Sequence, residues 1–367
     1  MASSQVHFPQ MRIPAAPCSL RLLIPALLLP ACALALFAQP RPAPTQPHAE
    51  KHLLIYSIDV EGGQSTLLVA PSGASLLIDT GWPGNNGRDA DRIQAAMRDA
   101  GIERIDHLLI THFHVDHVGG LPELARRVAI GEFLDHGANR EDSDITRRDF
   151  AAYLKAIEGK PRRIVHPGDT IDLPGLETIV LTADGDRIGA VPGIQPAPNP
   201  YCAAEPAWPV DSSENARSIG ILVTFGRFRF IDLGDLTKAK EIALVCPANP
   251  IGRVDLYLAT HHGMNLSNSR ALVDALHPRA AIMNNGAHKG GSPEAWETIH
   301  SSPGLEDLWM LHTAEGSDAA HNSAEALIAN PKGATEDGVF LKAIANADGS
   351  FTIVNPRNKT AIAYPRK

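Results

Sequence analysis

Residues 111–117, "THFHVDH", bring three histidines and an aspartate together just before the glycine pair of "VGG" (118–120). The stretch closes "IDHLLITH" (105–112), an apolar run that predicts a strand. His112 and His114 are two residues apart, and after a strand that spacing can send both imidazoles to one side. Asp116 and His117 need a turn, which carries them past the first pair toward a second ion. Imidazole suits zinc, iron and nickel, while a carboxylate adds charge and takes harder ions. Solvated loop histidines are the plain alternative. So many strong ligands at one strand end favour metal.

Two later strands end the same way. "FRFIDLGD" (228–235) runs into Asp232 and Asp235, and "LYLATHHG" (256–263) runs into His261 and His262. A rigid sheet positions a site by letting separate strand ends converge, and three such ends argue for convergence. No "GxSxG" and no Walker-type glycine loop occurs, which lowers the odds of serine-hydrolase or nucleotide-triphosphatase chemistry.

The rest of the chain supplies a frame for these ends. "LLIYSIDVEGG" (53–63), "QSTLLVAP" (64–71) and "ASLLIDTG" (74–81) predict a strand meander. In "GRDADRIQAAMRDAGI" (87–102), Ile93, Ala96, Met97 and Ala100 form a helical stripe that Gly101 stops. "RIVHPGDTIDLPGLETIVLTAD" (163–184) predicts antiparallel strands, and "SIGILVTFGRFRFIDLGD" (218–235) a hairpin turning at Gly226. Further helices are expected over 120–128, 150–157, 236–245, 269–278 and 292–300, with a strand or extended segment over 130–137 and strands in 254–263, 279–286 and 349–356. Strands interleaved with helices give a sheet-based α/β protein, with the number of sheets left open.

In that order, "LIDTG" (77–81), "THFHVDH" with Gly119 and Gly120, "LGD" (233–235) after a hairpin and "HHG" (261–263) after the next strand resemble the metallo-β-lactamase superfamily. The likeness covers roughly residues 53–291. "SIGILVTFGRFRFIDLGD" followed by "LATHHG" is similar to the branch that holds the hydrolase domain of DNA-uptake channel proteins and the choline-phosphate esterases. The resemblance implies an α/β fold of the αββα kind: two mixed sheets face to face, helices outside, metals at one edge. By the same likeness His112 and His114 would bind one ion and Asp116 and His117 the other. Asp235 would bridge them. His261, nearer its strand, would complete the second set, with His262 behind it or facing substrate, and Asp79 would orient an imidazole or loop. Two Zn2+ ions are expected, with Mn2+ or Fe as alternatives.

Many superfamily members carry another histidine where this chain has "DSSENARSIG" (211–220). Asn215 and Ser218 match the channel-protein branch there. His136 in "LDHG" and His166 in "IVHPG" are the spare histidines that could fill the gap. Asp116 and His288 are the expected catalytic residues, His288 touching substrate or protonating a leaving group from the loop "NNGAHKGGS" (284–292).

Two ions would lower the pKa of a water held between them and stabilise the entering and leaving oxygens. The chemistry expected is hydrolysis of a phosphodiester or related phosphorylated substrate. Lactone, thioester or β-lactam hydrolysis is an alternative, as are a non-catalytic binding module with a degenerate metal site and an iron-dependent oxidoreductase.

The chain has 367 residues, a net charge of -8 and 44% hydrophobic residues, ordinary values for a globular protein. Its densest basic patch, "GKPRR" (159–163), is a solvated turn rather than a nucleic-acid groove, so no stable nucleic-acid binding is expected. Arg12 and Arg21 precede the apolar run 22–37, and a proline-rich stretch follows. Residues 1–38 are therefore expected to be a signal peptide, or a lipoprotein signal if "LPAC" is processed at Cys32. A linker over 39–51 and a hydrolase domain over 52–367 follow, with a surface insertion near 189–217 in which Tyr201 and Trp208 can wall the pocket. Export to the periplasm or beyond is expected, with no membrane span in the mature form. Cys202 and Cys246 can pair in an oxidising compartment or stay as buried thiols.

Overall fold

Three apolar runs, Leu53–Ser57, Thr66–Val69 and Ser75–Ile78, lie side by side as the antiparallel meander that their spacing predicts. Every residue of the second and third is buried, so both faces of this sheet are covered. The coordinates are a computed structural model that describes residues 51–331 and 338–367. The expected leader (1–38), and the linker (39–51) up to residue 50, lie outside the described residues.

The helix Arg88–Ala100 crosses over so that Arg104–Leu109 pairs parallel to Ser75–Ile78. Gly101 stops it in a left-handed conformation (φ 71°), its N–H reaching back to the last turn. Two further crossovers add Ala129–Asp135 and Arg162–Ile164, both parallel. On the other side, Leu341–Ala345, Phe351–Asn355 and Thr360–Tyr364 extend the sheet outward from Leu53–Ser57.

A second sheet grows from the hairpin Gly220–Phe225 and Phe228–Asp232. Its turn needs glycine: Gly226 has φ 58°, and a Cβ there would lie 2.2 Å from the Ala347 carbonyl oxygen. Leu256–Leu258, Ala280–Met283, Asp307–His312 and Ile328–Asn330 follow in parallel, while Glu177–Ala183 and Asp186–Arg187 close the antiparallel side. The expected antiparallel pairing inside 163–184 is thus largely replaced. Arg162–Ile164 joins the first sheet and Glu177–Ala183 the second, and the two parts meet at an isolated Thr170–Ile179 bridge with a few hydrogen bonds beside it.

The two mixed sheets face each other across an apolar layer that includes Leu68, Ile78, Val223, Phe230, Leu256 and Trp309. Ile93, Met97, Leu124 and Tyr153 pack one set of helices on the first sheet, and Leu244, Leu272, Leu276 and Ile299 pack the other set on the second. This is the αββα sandwich. Among the described residues no helix is long and apolar enough to cross a membrane.

The insertion is less irregular than its sequence suggests. Ala197–Pro198 pairs with Ala248–Asn249, and Cys202 is bonded to Cys246 across 44 residues, so the two thiols do pair. Reducing that bond should lower stability by roughly 2–4 kcal/mol. The check is a lower urea midpoint with reductant than without; equal midpoints would contradict it. The indole of buried Trp309 donates to Tyr364 Oη at 2.8 Å. Tyr364→Phe should therefore cost about 1–3 kcal/mol by stranding that N–H, again read from the midpoint.

Candidate metal centre

The opening cluster stands where the strand Arg104–Leu109 gives out and the short helix Val115–Val118 begins. Gly119 and Gly120 let it nest against the loop after Asp79. A Cβ at Gly120 would lie 2.0 Å from the Thr80 carbonyl oxygen, and one at Gly119 2.4 Å from Pro83. Thr80 returns the contact, its N–H donating to the His117 carbonyl at 2.7 Å. Asp235 follows Gly234 (φ 55°) after the hairpin, and its N–H donates to Ser218 Oγ at 3.1 Å. His261 and His262 both have left-handed backbones (φ 55° and 56°), a tight turn that brings both rings inward.

These turns meet. His112 Nε2 is 3.0 Å from His114 Nδ1 and 3.9 Å from Asp235 Oδ2. His117 Nε2 lies 3.4 Å from Asp116 Oδ2 and 3.2 Å from Asp235 Oδ2. His262 Nε2 lies 3.2 Å from Asp116 Oδ2 and 3.4 Å from Asp235 Oδ1, and His261 Nε2 is 3.3 Å from Asp235 Oδ2. The edge of a tetrahedron with Zn–N bonds of about 2.05 Å is about 3.3 Å, so these spacings are those of ligands around shared ions.

Several of the donor atoms are also uncommitted. His117 Nε2, both ring nitrogens of His262 and Asp235 Oδ1 are buried and take no hydrogen bond among the described residues. Buried polar atoms left so cost free energy, and a cation would repay it. The residues present fit a metal group, and Asp235 with Asp116 offers carboxylate oxygens to more than one ion.

Charge tells the same story. Burial, with His117 and His114 nearby, holds His112 well below the ordinary imidazole value, which keeps it neutral as ligation requires. Burial would raise Asp116 and Asp235, yet the surrounding imidazoles pull both well below the usual carboxylate range, helped at Asp116 by Lys289. Burial pulls His117 down, but Asp235, Asp116 and Asp79 together hold it well above its ordinary value. The cluster demands positive charge that a divalent cation would supply by displacing a proton.

A layer behind the rings fixes their direction. Asp79 Oδ2 faces His117 Nδ1 at 2.7 Å. Ser267 Oγ lies 3.2 Å from His261 Nδ1, and Glu141 Oε2 3.0 Å from His114 Nε2. Glu141 and Glu214 escaped the sequence reading, because neither lies in a recurring motif.

The two adjacent histidines divide their contacts differently from expectation. Sequence favoured His261 over His262, yet only His262 touches both Asp116 and Asp235, whereas His261 is tied to Ser267 and meets Asp235 alone. Both rings enter, and the tight turn, not distance along the chain, sets which one reaches both carboxylates. His136 is buried, facing Glu214 at 3.0 Å and the Phe113 ring, and is not among the clustered ligand atoms. His166 is 72% exposed beside Asp169. His288 is 82% exposed, 3.7 Å from Glu315, and is not brought into the cluster; its neighbour Lys289 pairs with Asp116 instead. Asp232 stays behind the site, accepting from Gln64 and Gly234, and burial pushes it up to about 7.

A second group, Asp59, Glu61 and His312, has ligand-like spacing. Arg92 lies 3.0 Å from Asp59 and 3.3 Å from Glu61, so a fixed cation already serves those carboxylates. It is a buried ion-pair network.

The model of the metallo-beta-lactamase superfamily matches residues 59–199. Ribonuclease Z of Methanopyrus kandleri is 33% identical over 119 residues, which are 32% of this chain and 39% of that protein. An atrochrysone carboxyl ACP thioesterase of Aspergillus terreus is 38% identical over 119 residues, 30% of this chain and 33% of its own. The chain thus spans little more than a third of the length of these curated relatives. Among solved structures, the metallo-beta-lactamase fold protein YhfI of Bacillus subtilis aligns with 71% of this chain and 96% of its own at 12% identity, with a TM-score of 0.44. By its sheet order, its outer helices and the matched segment, the chain has the fold of the metallo-β-lactamase superfamily.

Proposed function

We propose that this protein is an exported, zinc-dependent hydrolase of phosphodiesters or related phosphorylated substrates. The observation that carries the reading is the buried meeting of Asp116 and Asp235 with four imidazoles whose inward nitrogens lie at ligand spacing. His112, His114 and Asp235 would hold one ion. Asp116, His117 and His262 would hold the second, with Asp235 shared and His261 beside it. Bound there, two Zn2+ ions would supply Lewis acidity and ionise a water at neutral pH.

The chain's own groups prepare that chemistry. Asp79 and Glu141 fix the tilt of His117 and His114, so that the inward nitrogens need no reorganisation. Lys289 brings a cation to the mouth beside Asp116, where it would meet an anionic substrate. Two carboxylates among the ligands favour a phosphoryl group held between two ions, as does the likeness of "SIGILVTFGRFRFIDLGD" and "HHG" to phosphodiester-cleaving branches. Thioester hydrolysis is the second reading, favoured by the resemblance to a carrier-protein thioesterase. The leader-like residues 1–38 and the Cys202–Cys246 bond support export to an oxidising compartment.

Metal analysis of the purified protein should find two ions per chain, and bis(p-nitrophenyl) phosphate should be hydrolysed faster than thioester or cephalosporin substrates. Chelation should abolish turnover and Zn2+ should restore it. Metal-free protein, or preferential thioester cleavage, would reject the reading. His114→Ala and Asp235→Ala should each lower kcat/KM by about a hundredfold or more with an unchanged circular-dichroism spectrum. An Asp235→Ala enzyme at full rate would remove the shared-ligand role. His262→Ala should lose more bound metal than His261→Ala; the reverse order would restore the expectation from sequence.

A further inference from the structure

We propose that a cavity of about 270 Å³ beside the metal centre, walled by Trp208, Val210 and Leu266, receives an alkyl or aryl arm of the substrate. The inference deepens the proposed phosphodiesterase reading and rests on it for the reacting group.

The cavity lies between the loop 208–215, which backs the support of His114, and the turns that follow Asp235 and His262. Ser213 on its floor precedes Glu214, whose N–H donates to Glu141 Oε2, the oxygen that holds His114. Thr237 lies two residues beyond Asp235. Leu266 precedes Ser267, the partner of His261 Nδ1. An arm lying in the cavity would therefore extend from a group held at the centre.

Its walls suit an apolar arm. Val210 is 94% exposed, Leu266 51% and Trp208 37%, and large apolar side chains gathered on the rim of a site gain by being covered. The charged groups that line it are Lys238 and Asp211. Lys238 Nζ sits 4.6 Å from the Trp208 ring centre, which steadies the indole and leaves positive charge near an anionic head. Asp211 is turned into its own loop, accepting from the Ser213 N–H at 2.8 Å.

The wall is also held in place. The loop that bears Trp208 is anchored by the Cys202–Cys246 bond and by Glu205, which accepts from the Ala271 N–H at 2.8 Å. Tyr201, the other aromatic expected to wall the pocket, lines a separate cavity with Arg253 and His277. Only one of the two aromatics faces this cavity.

The test compares the methyl and hexyl esters of p-nitrophenyl phosphate on the zinc-loaded protein. kcat/KM should favour hexyl by about tenfold or more. The ratio should fall toward unity in Trp208→Ala and in Leu266→Ser, each with wild-type metal content, and should be kept in Tyr201→Ala. Equal rates for the two esters in the wild type would overturn the proposal. If neither ester is cleaved, the phosphodiesterase reading fails, and calorimetry with hexylphosphonate and methylphosphonate decides the pocket alone. Tighter binding of hexylphosphonate that Trp208→Ala abolishes would sustain it, and equal binding would overturn it.

Discussion

The fully buried carboxylate of Asp79 accepts from the Thr111 N–H at 2.8 Å and the Thr111 hydroxyl at 2.6 Å, and faces His117 Nδ1 at 2.7 Å. It thereby joins the end of one strand to the turn after another. It also sets the ring's direction: with the Nδ1 proton directed at Asp79, Nε2 of His117 faces Asp116 and Asp235, and would offer a cation its lone pair once the Nε2 proton is displaced. Asp79 itself sits at φ 59°, a conformation that is uncommon for a residue with a Cβ and that the surrounding bonds stabilise. Without it, neither the direction of the imidazole nor the packing of "VGG" against Thr80 is fixed.

From that anchor the electrostatics follow. Carboxylates buried side by side repel each other and resist ionisation, yet here imidazoles hold Asp116 and Asp235 well below the usual carboxylate range, with Lys289 helping at Asp116. At the same sheet edge, just after Leu53–Ser57, Asp59 and Glu61 face a comparable demand: Arg92 lies 3.0 Å from Asp59 and 3.3 Å from Glu61, and His312 Nε2 lies 2.8 Å from Asp59. The two clusters contrast usefully. In one, the buried Asp59 Oδ2 makes no hydrogen bond but has the Arg92 guanidinium at 3.0 Å; in the other, His117 Nε2, both ring nitrogens of His262 and Asp235 Oδ1 are buried without a hydrogen bond and without an arginine.

Local features were legible in the sequence because local geometry makes them. The meander, the helix stopped by Gly101, the hairpin at Gly226 and the convergence of three strand ends all rest on spacing within a few residues. What was hidden depends on distant partners. Thr360–Tyr364 alternates exposed and half-buried positions as an edge strand, and gains its place only beside Phe351–Asn355. Alternation in 163–184 could not say that its two parts belong to different sheets. The pairs Glu141 with His114 and Glu214 with His136 join residues 27 and 78 apart in the chain, and no motif marks them. His288 and Lys289 differ by one position, and a glycine-rich loop gives no period from which to choose between them.

The Cys202–Cys246 crosslink ties the loop bearing Trp208 to the end of the helix Lys238–Val245, a piece of chain that supplies no ligand to the centre. The Trp208 side of the cavity therefore has a support of its own, whereas Thr237 and Leu266 share theirs with the ligand turns. Grafting a foreign segment between Cys202 and Ser213 would redesign the specificity wall while the strand-end machinery stayed as it was.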